Sequence, residues 1–180
     1  IIYVSGIHPY KHQLNVVDAV FNLRNQGLPL VLELAGPSYP ASLLRFKKKI
    51  SILDPDEKWI FYHGELPYIR ISEIYSKASL GLFASSCENM PNILLETMAA
   101  GLPIACSDRS PMPEILGDDG VYFNPESPTD IASAVLELID SPDLRYRKAC
   151  ASHKKSTTYS WESCSLSTFS FFEEVISNYK

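Results

Sequence analysis

Six short apolar runs, each followed by a stretch of helical periodicity, predict a doubly wound α/β domain on a six-stranded parallel sheet. The runs are nearly continuous in apolar residues rather than alternating, as strands covered on both faces require. Right-handed crossovers between them give the strand order 3-2-1-4-5-6. A ligand is then expected at the carboxyl ends of strands one and four, where that order reverses.

The first run, IIYVSG (1–6), leads to a helix over Lys11 to Gln26. That helix sets Leu14, Val17, Val20 and Phe21 on one face and stops at Gly27, a residue suited to the left-handed position after a helix. LVLELAG (30–36) is the second strand and 38–53 the second helix; WIFYHG (59–64) is the third, with a short helix over 72–78. LGLFAS (80–85) is the fourth, and beyond the loop SSCENMPN a helix over 92–100 ends at Gly101. PIACSD (103–108) and VYFN (121–124) complete the sheet. Pro128 to Asp140, with Ile131, Val135, Leu138 and Ile139 on one side, is an amphipathic helix stopped before Ser141-Pro142. Two extra C-terminal helices are expected, over 144–157 and 161–179. The second (TFSFFEEVISNY) carries more aromatic surface than one sheet edge needs. The chain starts inside an apolar run with neither Met nor a cap before it, as a piece of a longer polypeptide would.

The 180 residues, read here as one domain over 1–180, are 46% hydrophobic and 21% charged, with a net charge of −5 and a pI near 5.4. An acidic chain whose longest basic run is Lys47-Lys48-Lys49 is not a nucleic-acid binder. No run approaches the length of a membrane span, and no signal peptide is visible. Cys87, Cys106, Cys150 and Cys164 have no metal-site spacing and fit a thiol-reducing cytoplasm. His8 and His12 lack the third ligand that a metal site would need, and no metal is expected.

The stretch after strand four carries the chemistry. Glu88 and Glu96 have seven residues between them, with Pro91 suited to the first turn of the helix that follows. The amides of Asn92 and Ile93 would then point out of the helix start without intrahelical partners, an anion site favoured by the helix dipole. Helical rise would separate the two carboxylates by about 12 Å, too far to act on one bond. That distance suits a long ligand gripped at both ends with its anionic middle on the amides. Taken alone, the spacing also fits a structurally paired helix acid and a capping acid.

ASSCENMPNILLETMAAGLPIACSDRSPMPEILGDDGVYFNPES resembles the retaining glycosyltransferases of the GT-B fold, family four. The shared pattern is E-x7-E, a small-residue helix, GLP, an apolar strand, a PE helix start and a G-hydrophobic-F-x-P strand. The likeness runs from YVS…PYKHQ to YSWE, covers only the Rossmann-like C-terminal half of such an enzyme, and is nearest to enzymes of bacterial surface polysaccharides such as lipopolysaccharide O-antigen or capsule. It implies that the acceptor-binding N-terminal half lies outside these residues. It also implies that Glu88 holds hydroxyls of a donor sugar lined by Asn89 and Met90, while Asn92 and Ile93 bind the distal phosphate. Glu96 would take the ribose, and Lys11 would neutralise the diphosphate leaving group. Gly36, with His63, Gly64, Glu65 and Leu66, would edge the nucleobase. Two departures stand out: Gly6 occupies a position where many members carry Arg, and ENMP replaces the common EGFG or EGFP.

The resemblance implies a metal-independent, cofactor-free hexosyltransferase that transfers from a nucleoside-diphosphate sugar, with retention, to a glycan or polyprenyl-linked acceptor. The full-length enzyme would be cytoplasmic and reach the inner face of the membrane, and this half alone would bind but scarcely transfer. The alternative is a glycosyltransferase-like module that binds sugar nucleotides without chemistry. A nicotinamide dehydrogenase is disfavoured because SGIHPYKHQ lacks G-x-G-x-x-G. A sugar-nucleotide epimerase shares the fold class alone.

Overall fold

The computed structural model describes residues 1–179. Its sheet contains β1 (Ile2–Val4), β2 (Leu32–Ala35), β3 (Ile60–Tyr62), β4 (Gly81–Phe83), β5 (Ile104–Ser107) and β6 (Val121–Phe123), all parallel, in the order β3-β2-β1-β4-β5-β6. The order reverses between β1 and β4, where Ile2 pairs with Gly81. Residues of β1 and β2 divide between two cores. Tyr3, Leu32 and Leu34 join the larger one, while Ile2, Val4 and Ala35 meet Ile71, Tyr75 and Leu102 in the smaller. Both faces of the central strands are covered, which is why their sequences lack polar alternation.

Among the described residues, eight α-helices accompany the strands: α1 (Gln13–Asn25), α2 (Pro40–Leu53), α3 (Tyr68–Lys77), α4 (Asn92–Ala99), α5 (Met112–Leu116), α6 (Pro128–Asp140), α7 (Pro142–Ser156) and α8 (Trp161–Asn178). Helix α1 packs beside α2 and α6, and α4 beside α7. Glycine is required at Gly81, where a Cβ would lie 2.3 Å from the Thr97 methyl, so β4 and α4 approach closely.

Two boundaries differ from the sequence reading in ways that matter for the site. The first helix does not begin at Lys11. Pro9–Lys11 form a separate 3₁₀ turn, His12 takes a left-handed conformation (φ 52°), and α1 starts at Gln13. Lys11 therefore lies in the turn before α1, not in the helix itself. Helix α3 begins at Tyr68, four residues earlier than expected, with Pro67 as its N-cap. Proline's missing N–H costs nothing there. The extra C-terminal helices are present, but no residue of α8 is buried. Among the described residues no helix is long and apolar enough to cross a membrane.

Candidate active site at the β1–β4 switch point

The loop after β1 is held on both sides. Beyond the strands it continues to pair with the loop after β2, through Ser5 N–H to Ala35 O (2.8 Å), Ile7 N–H to Pro37 O (2.8 Å) and Tyr39 N–H to Ile7 O (3.1 Å). Gly36 permits this approach. Its φ is +140°, and a Cβ would lie 2.3 Å from the Ser5 carbonyl oxygen. The buried Gln13 amide donates to Ser5 Oγ (2.9 Å) and Gly6 O (2.7 Å), and the Tyr3 hydroxyl to Lys11 O (2.8 Å). The bonds to Gly6 O and Lys11 O fix backbone that a bare loop would leave free.

On the other side the turn is clamped to the loop after β4. Ser86 N–H donates to Tyr10 O (2.8 Å), and the His12 ring is hydrogen-bonded to Ser86 Oγ (2.9 Å). Burial lowers the His12 pKa from its ordinary value; Glu126 opposes the shift and Arg109 adds to it. The clamp brings Lys11 Nζ onto Glu88 Oε1 as an ion pair. The two side chains are only 11% and 15% exposed. The ammonium also lies 5.5 Å from the Tyr10 ring centroid and 5.4 Å from that of Phe83, within range of a cation–π attraction.

The start of α4 differs in detail from the expectation. Pro91 is the N-cap, not the first helical residue. Asn92 N–H is not free: it turns back to Met90 O (2.9 Å), while Leu94 and Leu95 both donate to Pro91 O. The Ile93 N–H has no acceptor among the described residues. The helix start thus offers one open amide, that of Ile93, where two were expected. Asn89 and Met90 are exposed beside it.

Glu96 sits in a different environment from Glu88. It borders a cavity of about 310 Å³ between α3 and α4, shared with Tyr68, Ser72 and Tyr75. Burial raises its carboxyl pKa, and no hydrogen bond or ion pair satisfies it among the described residues. A half-buried carboxylate without donors is a site that hydroxyl groups can complete. Tyr68, 73% exposed on the cavity rim, carries no sequence signal beyond its place after β3.

The remaining candidates have structural explanations too. Gly36 N–H donates to Gly64 O (2.8 Å), joining the loops after β2 and β3; Glu65 is exposed, and Leu66 packs against the smaller core. A Cβ on Gly6 would meet the His8 ring at 3.1 Å. That ring is stacked with Tyr10 (5.4 Å) and Tyr39 (6.2 Å), an aromatic row that the sequence reading missed. Neither the pairing of Lys11 with Glu88 nor the clamp at Ser86 was foreseen.

Residues 1–141 match the family described as glycosyl transferases group 1. The chain is 26% identical over 117 residues to O-antigen chain mannosyltransferase B of Escherichia coli, covering 65% of this chain and 31% of that protein. It is 29% identical over 170 residues to the MMP α-(1→4)-mannosyltransferase of Mycolicibacterium hassiacum, covering 92% of this chain and 40% of the relative. The chain thus spans between about a third and two-fifths of the length of these relatives. Among solved structures, HepE of Anabaena in complex with UDP and glucose superposes with a TM-score of 0.76 at 17% identity, over 87% of this chain and 43% of that one, a likeness of fold. With the family match covering most of its length, the chain belongs to the glycosyl transferases group 1 family.

Proposed function

We propose that this chain is the donor-binding half of a retaining hexosyltransferase, and that it binds a nucleoside-diphosphate sugar across the β1–β4 switch point. The observation that carries the reading is the meeting of Lys11 and Glu88 there, with the open Ile93 amide and the unsatisfied Glu96 close by in the same segment. A diphosphate takes Lys11 and the Ile93 N–H, ribose hydroxyls satisfy Glu96, and sugar hydroxyls satisfy Glu88. The UDP and glucose in HepE and the mannosyltransferase relatives support a hexose nucleotide as the ligand class. Charge on the departing diphosphate is stabilised by Lys11 and the amide, so no covalent nucleophile on this chain is needed. No metal or cofactor enters this reading. The acceptor, a glycan or polyprenyl-linked glycan at the inner face of the membrane, is met by the rest of the full-length protein.

The test is calorimetry with UDP, GDP and their sugar nucleotides, with and without EDTA. Glu96→Ala should weaken nucleoside diphosphate and sugar nucleotide alike, by about 1.5–3 kcal/mol. Glu88→Ala should weaken chiefly the sugar nucleotide. Equal losses for both ligands in Glu88→Ala would refute the two-ended grip, and affinity that disappears with EDTA would refute the metal-free reading.

A further inference from the structure

Three aromatic rings stand in a row beside the site, and the grip proposed above assigns none of them a ligand. Tyr39, His8 and Tyr10 stack in that order, with centroids 6.2 and 5.4 Å apart and planes within 19° and 17° of parallel. The row ends at Lys11, whose ammonium lies 5.5 Å from the Tyr10 centroid and pairs with Glu88. Gly6 leaves room for it, since a Cβ there would lie 3.1 Å from the His8 ring. The backbone beneath is fixed before any ligand arrives. His8 and Tyr39 each precede a proline and are extended, as that position favours. Tyr39 N–H donates to Ile7 O, Lys11 N–H to His8 O and Ser86 N–H to Tyr10 O.

Packing alone does not account for the row, because Tyr10 is 41% and Tyr39 55% exposed. Exposed aromatic surface held rigid beside a polar site marks a place for a ligand. Its position says which one. The row rises from the turns leading into α1 and α2, which line the larger core. The Glu96 cavity lies between α3 and α4, and α3 lines the smaller core on the other face of β1 and β2. A nucleotide reaching from Glu96 to Lys11 and Glu88 therefore ends where the row begins, and Tyr39 is the ring farthest from it. Ring faces give a phosphate nothing to bind. A pyranose suits them, since its C–H face covers an aromatic ring while its hydroxyls stay in water or meet a tyrosine's polar tip. His8 also walls a cavity of about 180 Å³ with Ser42 and Arg45 of α2, whose polar groups can meet hydroxyls of a further sugar.

We infer that Tyr39, His8 and Tyr10 form a stacking platform for the terminal sugar of the acceptor glycan, on the side of Lys11 and Glu88 away from the nucleotide. The inference rests on the donor-binding reading above, and it adds a contact from this half to those that the rest of the full-length protein makes. The platform selects by shape: a pyranose with an unobstructed C–H face lies flat on it, beside the donor sugar.

The experiment is saturation-transfer NMR on the full-length protein with UDP or GDP present. The protein's aromatic protons are irradiated, and the probes are methyl α-D-mannopyranoside and methyl α-D-glucopyranoside. In the wild type, saturation should reach the C–H protons of one face of a probe. Tyr39→Leu should raise that probe's dissociation constant about two- to tenfold, the range of one aromatic contact. Tyr39→Trp, which keeps a stacking face, should restore it. Calorimetric affinity for UDP and GDP should stay that of the wild type in Tyr39→Leu, a separation that general loss of structure would not give. A wild-type protein that binds nucleotide but neither saccharide, or saccharide binding that survives Tyr39→Leu unchanged, would overturn this inference alone. Nucleotide affinity that falls together with saccharide affinity in Tyr39→Leu would assign the row to the nucleotide and overturn it as well. Absence of binding by either nucleotide to the wild type would overturn the donor-binding reading with it.

Discussion

Removing Lys11 should destabilise the fold, not only the ligand complex. In Lys11→Met the Glu88 carboxylate keeps its 15% exposed position but loses the one hydrogen-bond donor it has among the described residues. Truncating one partner of a fully buried pair costs about 3–5 kcal/mol, whereas an exposed pair is worth about 0.2–1 kcal/mol. With side chains 11% and 15% exposed, this pair lies near the buried end but keeps an opening to water, so about 2–3 kcal/mol is expected. At about 2–4 °C per kcal/mol for a domain of this size, the melting temperature falls by roughly 4–12 °C. Glu88→Gln should cost less, because the ammonium retains Tyr10 and Phe83. The Lys11→Met/Glu88→Gln double variant should recover much of the single-variant loss, since no uncompensated charge remains. A double-mutant cycle by urea unfolding at pH 7, repeated at high salt, measures the coupling. A Lys11→Met protein within about 0.5 kcal/mol of the parent, with no coupling, would show the pair to be a solvent-screened contact.

Three further outcomes follow from groups elsewhere in the chain. Burial raises the Glu96 carboxyl pKa, so its ionisation weakens the fold as pH rises from the unfolded value through the folded one. Glu96→Gln should accordingly melt slightly above the parent at pH 7 while binding nucleotide less well, and a lower melting temperature would mean that the carboxylate has a structural partner. Asp54 is the opposite case: burial alone would raise its carboxyl pKa, but the amides of Trp59, Lys58 and Ile60, with Arg24 near, lower it on balance. Its stabilisation is present above about pH 4 and lost as pH falls through the lowered value. Asp54→Asn should therefore be less stable than the parent at pH 7 and converge with it in acid, as unfolding at both pH values would show. Deleting α8 after Tyr159 should leave thermal unfolding of the domain within about 2 °C of the parent, because none of its residues is buried. A larger fall would place α8 among the supports of the sheet.

The strands and their order were legible because a parallel sheet buried on both faces leaves nearly continuous apolar runs. Those runs extend past the hydrogen-bonded ladder, which is why IIYVSG yields a strand over Ile2–Val4 alone. Ser5 and Gly6 belong to the loop after β1, where Ser5 N–H still donates to Ala35 O and the next residue, Ile7, pairs with Pro37 and Tyr39. The local error at Lys11 has a specific cause. Pro9 begins a 3₁₀ turn, and a left-handed His12, a conformation uncommon outside glycine, closes it. Apolar periodicity over 14–21 does not report where the helix begins. The free amide at Asn92 was misjudged for a similar reason. Pro91 became the cap, and the next N–H folded back on Met90.

What periodicity could not reveal is the partnership between residues far apart in sequence. Lys11 and Glu88 are 77 positions apart, and their meeting depends on the clamp of Ser86 to Tyr10 and His12. The two glutamates shared one motif, and the sequence told them apart by position, one before the helix and one inside it, not by their surroundings. In the fold they are opposites. Glu88 carries its counter-ion into a nearly dry position, whereas Glu96 waits without a donor in a cavity open to solvent. A ligand that satisfies Glu96 relieves a cost already present in the free protein. A ligand that reaches Glu88 must first displace an attraction. On the proposed donor-binding reading, Glu96 would give affinity to any ligand carrying a ribose, and Glu88 would reward only a ligand that brings its own hydroxyl donors.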